Sequence, residues 1–366
     1  MGKFICPIPW VSLSLGAQST PRLCCHQEVG ITTQEDINLL ELSHLSAIRE
    51  SMLQGEVPPQ CQGCFKLEES GCSSPRQDYI NRFGNVDEVR IKYLDVTFNN
   101  DCNLECMMCS PLYSYKLNKL YHRGMDLSHS STWQVDLDST TLSRMLPTLE
   151  VITLTGGEPF VSKKILDFIK NLSGGPFARN LTLRVFTNLS HMSLEIINTL
   201  KKFKKVELLL SIDSVEENYE FIRYPASWKT LVNNIELLNA HRFPHLDIHL
   251  HCVLMATNWL SIGKLIKFYH NTLGHPNLLP IFVEIDTPSF LHPGVLPEKD
   301  FNEGLQRIEG VLDDLEAKFP IRRDEILELR VLLKKIASKR DLNLYLQYKV
   351  FVAKLSEARA KVKHDK

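Results

Sequence analysis

Between residues 90 and 290 the chain repeats one pattern, in which a short β-rich apolar run is followed by a run with helical spacing of apolar residues. Such alternation is typical of parallel strands joined by right-handed crossovers. Six units fall short of the eight in a closed (β/α)8 barrel. We therefore predict an α/β fold, an open partial (β/α)6 barrel, with strands at YLDVTF (93–98), VITLTG (151–156), LTLRVFTN (181–188), VELLLSID (206–213), DIHLHCVLM (247–255) and PIFVEID (280–286).

The two ends of the chain differ from this middle part. The first 85 residues are interrupted by prolines and contain most of the cysteines, whereas residues 298–362 have amphipathic helical spacing with a break at Pro320. A length of 366 residues also exceeds one usual compact core. We therefore predict a loop-rich cysteine module at 1–85, the partial barrel at 86–290 and a helical extension at 291–366.

Charge and hydropathy argue against two classes of partner. The formal net charge is -1, so no global basic field favours nucleic acid. The basic C-terminal run is better interpreted as a solvated helix that covers the barrel. The mildly apolar N-terminus is broken by Pro7 and Pro9, and no run reaches the roughly 18 apolar residues of a membrane span. We expect a cytoplasmic protein without a membrane partner.

The cysteines are strongly clustered. Nine of the ten lie in the first 109 residues, at Cys6, Cys24, Cys25, Cys61, Cys64, Cys72, Cys102, Cys106 and Cys109. A disulfide framework would explain such clustering in a small secreted domain. In a chain of this size without a signal peptide, metal or redox chemistry is the better interpretation.

Three of these thiols stand on one short loop. Cys102, Cys106 and Cys109 have the spacing C-x3-C-x2-C in NNDCNLECMMCSP, directly after the first predicted strand. Active sites of such folds lie at this rim. Three thiolates would occupy three corners of a cubane [4Fe–4S] cluster and leave one open, as a catalytic site requires. A zinc knuckle and packed core cysteines are the alternatives, and the polar neighbours disfavour the core.

This loop and the TGGEP motif one strand later together resemble the signature of the radical S-adenosylmethionine (SAM) superfamily. The resemblance implies a [4Fe–4S] cluster on the three cysteines, with SAM bound to the open iron. It also implies that the GGEP segment contacts SAM. Gly156 and Gly157 would let backbone carbonyls approach closely, and Glu158, followed by Pro159, could accept from the SAM ammonium.

Further strand ends match the same superfamily. The resemblance implies that Asn188, in FTN, belongs to the SAM site, and that LLLSIDS contacts the ribose through Ser211 and Asp213. Period-two alternation would put Ser211 and Asp213 on one face. Arg223 is a candidate partner for the SAM carboxylate. The alternatives are a turn or helix-capping role for Asp213 and a solvated helix-end position for Arg223.

The chemistry implied by the resemblance is reductive cleavage of SAM to methionine and a 5′-deoxyadenosyl radical, which abstracts hydrogen from a substrate. A donor such as flavodoxin or ferredoxin would supply the electron. The substrate is unidentified, and peptide modification or oxidation of an alcohol or sugar is expected only by analogy. The alternatives are a non-catalytic iron–sulfur or zinc-binding protein and an RNA-modifying radical SAM enzyme.

The N-terminal cysteines form a second constellation. Cys6, either Cys24 or Cys25, Cys61 and Cys64 would complete a closed four-thiolate set, suited to an auxiliary [4Fe–4S] cluster or to zinc. The segments C-x-x-PW, CCH and C-x2-C-x6-G resemble the twitch-type, SPASM-like auxiliary-cluster module. We favour iron–sulfur, because a radical SAM barrel offers an electron-transfer context.

Two other cysteine-containing features are not assigned a role. We expect Cys72 to be packed in, although it could also be a ligand or face the substrate. In HLHC, a strand would place His249 and His251 on one face and Cys252 on the other, so these residues do not predict a metal site.

Overall fold

A computed structural model gives the fold of the chain. It describes residues 6–16, 22, 24, 43–69, 71, 73–84, 86, 88–124, 133–135, 137, 139–273, 279–319 and 323–364.

The centre of the fold is one parallel sheet whose strands follow each other in chain order. Each adjacent pair is parallel, and β1 and β7 form the two edges, so the sheet is not closed. The seven strands are β1 (Ser12–Leu15), β2 (Tyr93–Thr97), β3 (Val151–Thr155), β4 (Thr182–Thr187), β5 (Lys205–Ser211), β6 (Leu246–Leu254) and β7 (Ile281–Glu284).

The predicted open α/β barrel is confirmed, with one strand more than the six that the sequence indicates. The additional strand is β1, inside the segment that we predicted to be loop-rich. It has only four residues, and its partner β2 lies about 80 positions further along the chain. Local periodicity carries no signal of so distant a pairing. The three-cysteine loop therefore follows the second strand of the sheet.

Helices connect and cover the strands. A helix follows each of the strands β3 to β6, as the alternating pattern predicts, and the described helices after β7 stand on either side of Pro320. The helices are α1 (Ile8–Val11), α2 (Ser43–Leu53), α3 (Gln62–Glu69), α4 (Pro75–Phe83), α5 (Tyr115–Gly124), α6 (Ser139–Met145), α7 (Lys163–Gly174), α8 (Leu194–Leu200), α9 (Glu216–Ile222), α10 (Trp228–Ala240), α11 (Ile262–Leu273), α12 (Glu298–Lys318), α13 (Arg323–Ser338) and α14 (Tyr345–His364).

The apolar core lies between the outer face of the sheet and the helices. Strand β6 shows this best, because its residues alternate strictly between buried and half-buried. Leu246, Ile248 and Leu250 join the large apolar core. On the opposite face of β6, His251 and Val253 line a central cavity. The inner face of the sheet is thus left to line a central lumen.

The C-terminal helix α14 packs beside the cysteine loop. Its residues Phe351 and Leu355 join an apolar cluster with Met107 of the loop and Ile222 of α9. Among the described residues, no helix combines the length and the apolar character needed to span a membrane.

Candidate active site

The three-cysteine loop lies between β2 and α5 and opens into the central cavity, which has a volume of about 1120 Å³ and is lined by Cys102, Cys106 and Cys109. The end of α9 holds the loop from one side. The Glu105 N–H donates to the Tyr224 carbonyl (2.6 Å) and the Met107 N–H to the Ile222 carbonyl (3.0 Å). All three thiols therefore face one cavity from a loop whose backbone is fixed.

Burial has the largest effect on the ionisation of these thiols. Burial, followed by the neighbouring Cys106, raises the pKa of Cys109 to about 12, and burial likewise raises the pKa of Cys102 and of Cys106. A coordinating metal deprotonates such a thiol outright. Among the described residues, no three His, Cys, Asp or Glu side chains are grouped to hold a single ion. A cubane needs a wider donor set, because each thiolate binds a different iron.

Two glycines allow the end of β3 to lie against this region. Gly156 has φ +73° and Gly157 has φ +54°. A Cβ on Gly156 would lie 1.9 Å from Thr97 Cγ2, and a Cβ on Gly157 would lie 2.4 Å from the Asp101 carbonyl oxygen. Both positions therefore require glycine for backbone conformation and for space. The end of β3 therefore packs directly against Thr97 of β2 and against the cysteine loop at Asp101, and both glycines line the central cavity.

Glu158, next in the motif, ties neighbouring loops together. Its N–H donates to the Asp101 carbonyl (2.8 Å), and its carboxylate accepts from the Thr187 hydroxyl (2.6 Å) and from the N–H groups of Asn188 (2.6 Å) and Phe160 (3.1 Å). Burial raises the pKa of Glu158 and these hydrogen bonds lower it; burial has the larger effect, and the pKa is about 7. Glu158 lines the cavity, but its hydrogen bonds mainly hold β4 and the cysteine loop to β3. Pro159 beside it is buried.

Two other residues predicted at strand ends, Asn188 and Ser211, line the cavity. Asn188 lines the cavity and donates through Nδ2 to Oδ1 of Asn103 in the cysteine loop, at 3.1 Å. Ser211, the last residue of β5, also lines the cavity. Both positions are compatible with contact to a ligand beside the cysteines.

The position of Asp213 differs from the expectation that it faces the SAM ribose. Strand β5 ends at Ser211, so the alternation used to place Asp213 no longer applies. Asp213 has no exposed area; its carboxylate contacts Arg223 Nε at 2.7 Å and accepts from the Val253 N–H at 2.8 Å. The structure therefore makes Asp213 a buried partner that fixes Arg223.

Arg223 lies beside the cysteine loop, as its proposed role requires. It lines the cavity, and its Nη1 is 3.8 Å from Cys106 Sγ. Burial would lower the pKa of Arg223, but the charge of Asp213 overcomes this and raises it. A permanently cationic group thus stands next to the thiols.

Arg359 on α14 is a residue that the sequence analysis missed. Its guanidinium donates to the backbone carbonyls of Phe221 (2.6 Å) and Glu105, and it lies over the Tyr224 ring at 4.9 Å. It is 4% exposed. A C-terminal arginine therefore clamps the residue before Cys106 to the end of α9. No local sequence signal marks it, because its partners lie more than a hundred positions away.

Four N-terminal cysteines also converge. Cys6, Cys24, Cys61 and Cys64 line a second cavity of about 520 Å³ between the N-terminal module and α13. Burial is the largest cause that raises the pKa of Cys6 to about 12 and that of Cys61 to about 11. The structure thus brings Cys24 to this cavity.

Two further points concern the surroundings of the second cavity. The predictions for Cys25 and Cys72 fall outside the described residues. Tyr79 of α4 lines both cavities, and its ring lies 5.6 Å from that of Tyr93 in the lumen. The two cavities are therefore neighbours.

With this geometry in place, comparison with known proteins defines the class. Residues 96–268 match the sequence model of the Radical SAM superfamily. This range begins at the end of β2, includes the cysteine loop and the GGEP segment, and ends in α11. Residues 96–268 of the chain therefore form a radical SAM domain, and domains of this class use SAM and a [4Fe–4S] cluster.

Individual relatives are more distant. A GTP 3′,8-cyclase of Geobacter sulfurreducens is 25% identical over 200 residues, which are 54% of this chain and 56% of that protein. Molybdenum cofactor biosynthesis protein 1 of Homo sapiens is 25% identical over 187 residues, or 50% of this chain and 27% of that protein. The matched part of the chain spans about half or less of these relatives.

Solved structures show similarity at low identity. A structure described as native anSMEcpe with bound AdoMet and Cp18Cys peptide is 15% identical, covers 62% of this chain and 60% of that one, and has a TM-score of 0.45. Streptococcus suis SuiB bound to the precursor peptide SuiA is 13% identical, with 80% and 55% coverage and a TM-score of 0.41.

Proposed function

We propose that Cys102, Cys106 and Cys109 hold the catalytic [4Fe–4S] cluster of this enzyme and that SAM binds beside them, at the ends of β3, β4 and β5. The observation that carries the proposal is the meeting of three thiols and the backbone of Gly156 and Gly157 in one cavity. When bound, the cluster supplies the electron that cleaves SAM to methionine and a 5′-deoxyadenosyl radical, which removes hydrogen from a substrate C–H.

In this proposal the chain's own residues bind and orient. Gly156 and Gly157 line the cavity, where their backbone carbonyls would accept from the ammonium group of SAM. Arg223, held by Asp213, keeps a positive charge beside Cys106 and the SAM carboxylate. Asn188 and Ser211 offer hydrogen bonds at the adjoining strand ends.

Anaerobic turnover tests the proposal. The protein is reconstituted with iron and sulfide, given dithionite and SAM, and assayed for 5′-deoxyadenosine by mass spectrometry. Wild type should form the product. The variant with Cys102, Cys106 and Cys109 all changed to Ala should form none. Protein that contains a reducible cluster but yields no 5′-deoxyadenosine would favour the alternative of a non-catalytic metal-binding protein.

We also propose that Cys6, Cys24, Cys61 and Cys64 hold an auxiliary iron–sulfur cluster. Their shared cavity supports this, and four thiolates would leave the cluster coordinatively full, which suits electron transfer. Zinc is the alternative. Metal analysis after reconstitution distinguishes the two, because an auxiliary cubane adds iron and sulfide that the Cys61→Ala, Cys64→Ala variant should lack, whereas a zinc site adds neither.

For the substrate we propose a small molecule in preference to a peptide or RNA. The relatives named GTP 3′,8-cyclase support this, since the molecule in that name is a nucleotide. The net charge of -1 gives no support to an RNA-modifying role. A flavodoxin- or ferredoxin-type donor stays a proposal for the source of the electron.

A further inference from the structure

The inner face of the sheet contains one continuous polar row across five strands. The register pairs Ser14 with Asp95, Asp95 with Thr153, Thr153 with Arg184, and Arg184 with Glu207. All five side chains line the same cavity as the three catalytic cysteines. We call these residues the lumen row.

The fold alone does not account for this row. Layers inside (β/α) barrels are usually filled by bulky branched apolar side chains. Here Asp95 and Glu207 are only 5% and 8% exposed, and burial of a polar or charged group is unfavourable unless that group is paired. The apolar core of this protein lies on the outer face of the sheet, so the row contributes little to it. Buried polar groups that line an open cavity point to recognition of a ligand.

The charges in the row are fixed. Arg184 Nε donates to Glu207 Oε2 at 2.8 Å, and Lys205 Nζ lies 3.0 Å from Glu207 Oε1. Burial would raise the pKa of Glu207, but Arg184 and Lys205 overcome it and lower the pKa to about 2. Glu207 therefore stays ionised, and its remaining lone pairs can accept from a ligand.

A further cation lies against the row. Arg82 of α4 lines the same cavity and forms no ion pair with any of the residues that the structure describes. Glu207, Arg184 and Tyr93 all act on it electrostatically. An anionic group placed here would meet Arg82 without breaking an ion pair.

Building on the proposed function, we propose that the lumen row is the substrate site and that it takes a small anionic molecule rich in hydroxyl or amino groups. Asp95 and Glu207 accept from those donors, and Arg82 with Arg184 binds the anionic group. The cavity volume of about 1120 Å³ exceeds the roughly 300–1,000 Å³ of single-ligand pockets, so SAM and a second molecule can share it. The substrate would then lie between the row and the three cysteines.

The experiment uses full-length, reconstituted protein and measures the rate of 5′-deoxyadenosine formation with and without a probe. The probe is the fraction below 1 kDa of a bacterial extract that binds an anion-exchange resin at neutral pH and elutes with salt. This fraction should raise the wild-type rate about tenfold. The resin flow-through and the fraction above 3 kDa should raise it far less.

Variants connect the stimulation to the row. Arg82→Gln should abolish most of the stimulation, whereas Lys170→Gln, which removes a cation paired with Glu195 on the outer surface, should retain it. The double exchange Arg184→Glu, Glu207→Arg keeps the ion pair but reverses its charges. It should lose the stimulation while it stays folded, with an unfolding midpoint lowered by the loss of the contact between Lys205 and Glu207. If the double variant does not fold, Arg82→Gln decides.

The outcomes separate this inference from the proposed function. Wild type that forms no 5′-deoxyadenosine under any condition contradicts the proposed function. Wild type that cleaves SAM but is stimulated by the flow-through, by the larger fraction or by no fraction contradicts the substrate class. Equal stimulation of wild type and Arg82→Gln, or of wild type and the folded double variant, would show that the row is only structural.

Discussion

Replacing Gly157 with Ala tests the physical reason for the GGEP segment. An L-residue at φ +54° costs about 1–2 kcal/mol in backbone energy. The new Cβ would also lie 2.4 Å from the Asp101 carbonyl, which must move away. That carbonyl accepts the Glu158 N–H at 2.8 Å, and leaving a buried N–H unpaired costs about 1–3 kcal/mol. We expect Gly157→Ala to lower the free energy of unfolding by about 3 kcal/mol.

Gly55 provides a matched control. It also has positive φ, +82°, but an added Cβ would meet nothing within 4 Å. Gly55→Ala should therefore show only the backbone cost. Urea unfolding gives the two free energies, and iron content after anaerobic gel filtration reports on the cysteine loop, which only Gly157→Ala should disturb. Equal free energies of unfolding and equal iron content in the two variants would refute the steric argument.

Three further predictions follow from particular contacts. Arg359→Met should lower the free energy of unfolding by about 3 kcal/mol and reduce the iron retained on gel filtration, because a buried cation loses its hydrogen bonds to two carbonyls. Arg359→Lys should recover part of each loss. Unchanged iron retention in Arg359→Met would contradict the role of Arg359 in holding the cysteine loop to α9. The pKa of Glu207 is lowered from 4.5 to about 2, so the ionised carboxylate stabilises the folded state by about 2 kcal/mol after allowance for solvent screening. This stabilisation is present above pH 4.5 and is lost as the pH falls towards 2. Glu207→Gln should flatten this part of the acid-unfolding profile, and an unchanged profile would argue against an ionised Glu207. Finally, Cys61→Ala, Cys64→Ala should reduce reconstituted iron by about half, as expected for one of two cubanes, and equal iron in variant and wild type would exclude an auxiliary cluster there.

The sequence predicts the parts of this fold that rest on local pattern. Strands β2 to β7 lie in apolar runs that alternate regularly with helical patterns, and the cysteine spacing and GGEP are contiguous motifs. Strand β1 escapes prediction because it stands outside the regular strand–helix alternation and its partner β2 is distant in the sequence. The place of Asp213 was predicted by extending alternation past the end of β5.

The site residues that the sequence did not predict were missed for one physical reason. Arg359 meets Glu105 across 254 positions, and no local pattern encodes that meeting. Each strand alone shows an inward polar residue such as Asp95 or Arg184, but only the register of the folded sheet aligns them into one row. The alignment of residues across neighbouring strands and the contacts between distant residues could therefore be found only in the structure. The chemistry of the three-cysteine loop could be inferred from the spacing of its cysteines.

The most direct test of the central assignment is Mössbauer spectroscopy of the Cys61→Ala, Cys64→Ala variant reconstituted with ⁵⁷Fe, with and without SAM. Removing Cys61 and Cys64 should prevent assembly of the auxiliary cluster, so that the spectrum reports only the cluster on Cys102, Cys106 and Cys109. Three protein thiolates predict that one of the four irons changes its parameters when SAM is added. Four irons that stay alike with and without SAM would contradict an open iron at this loop.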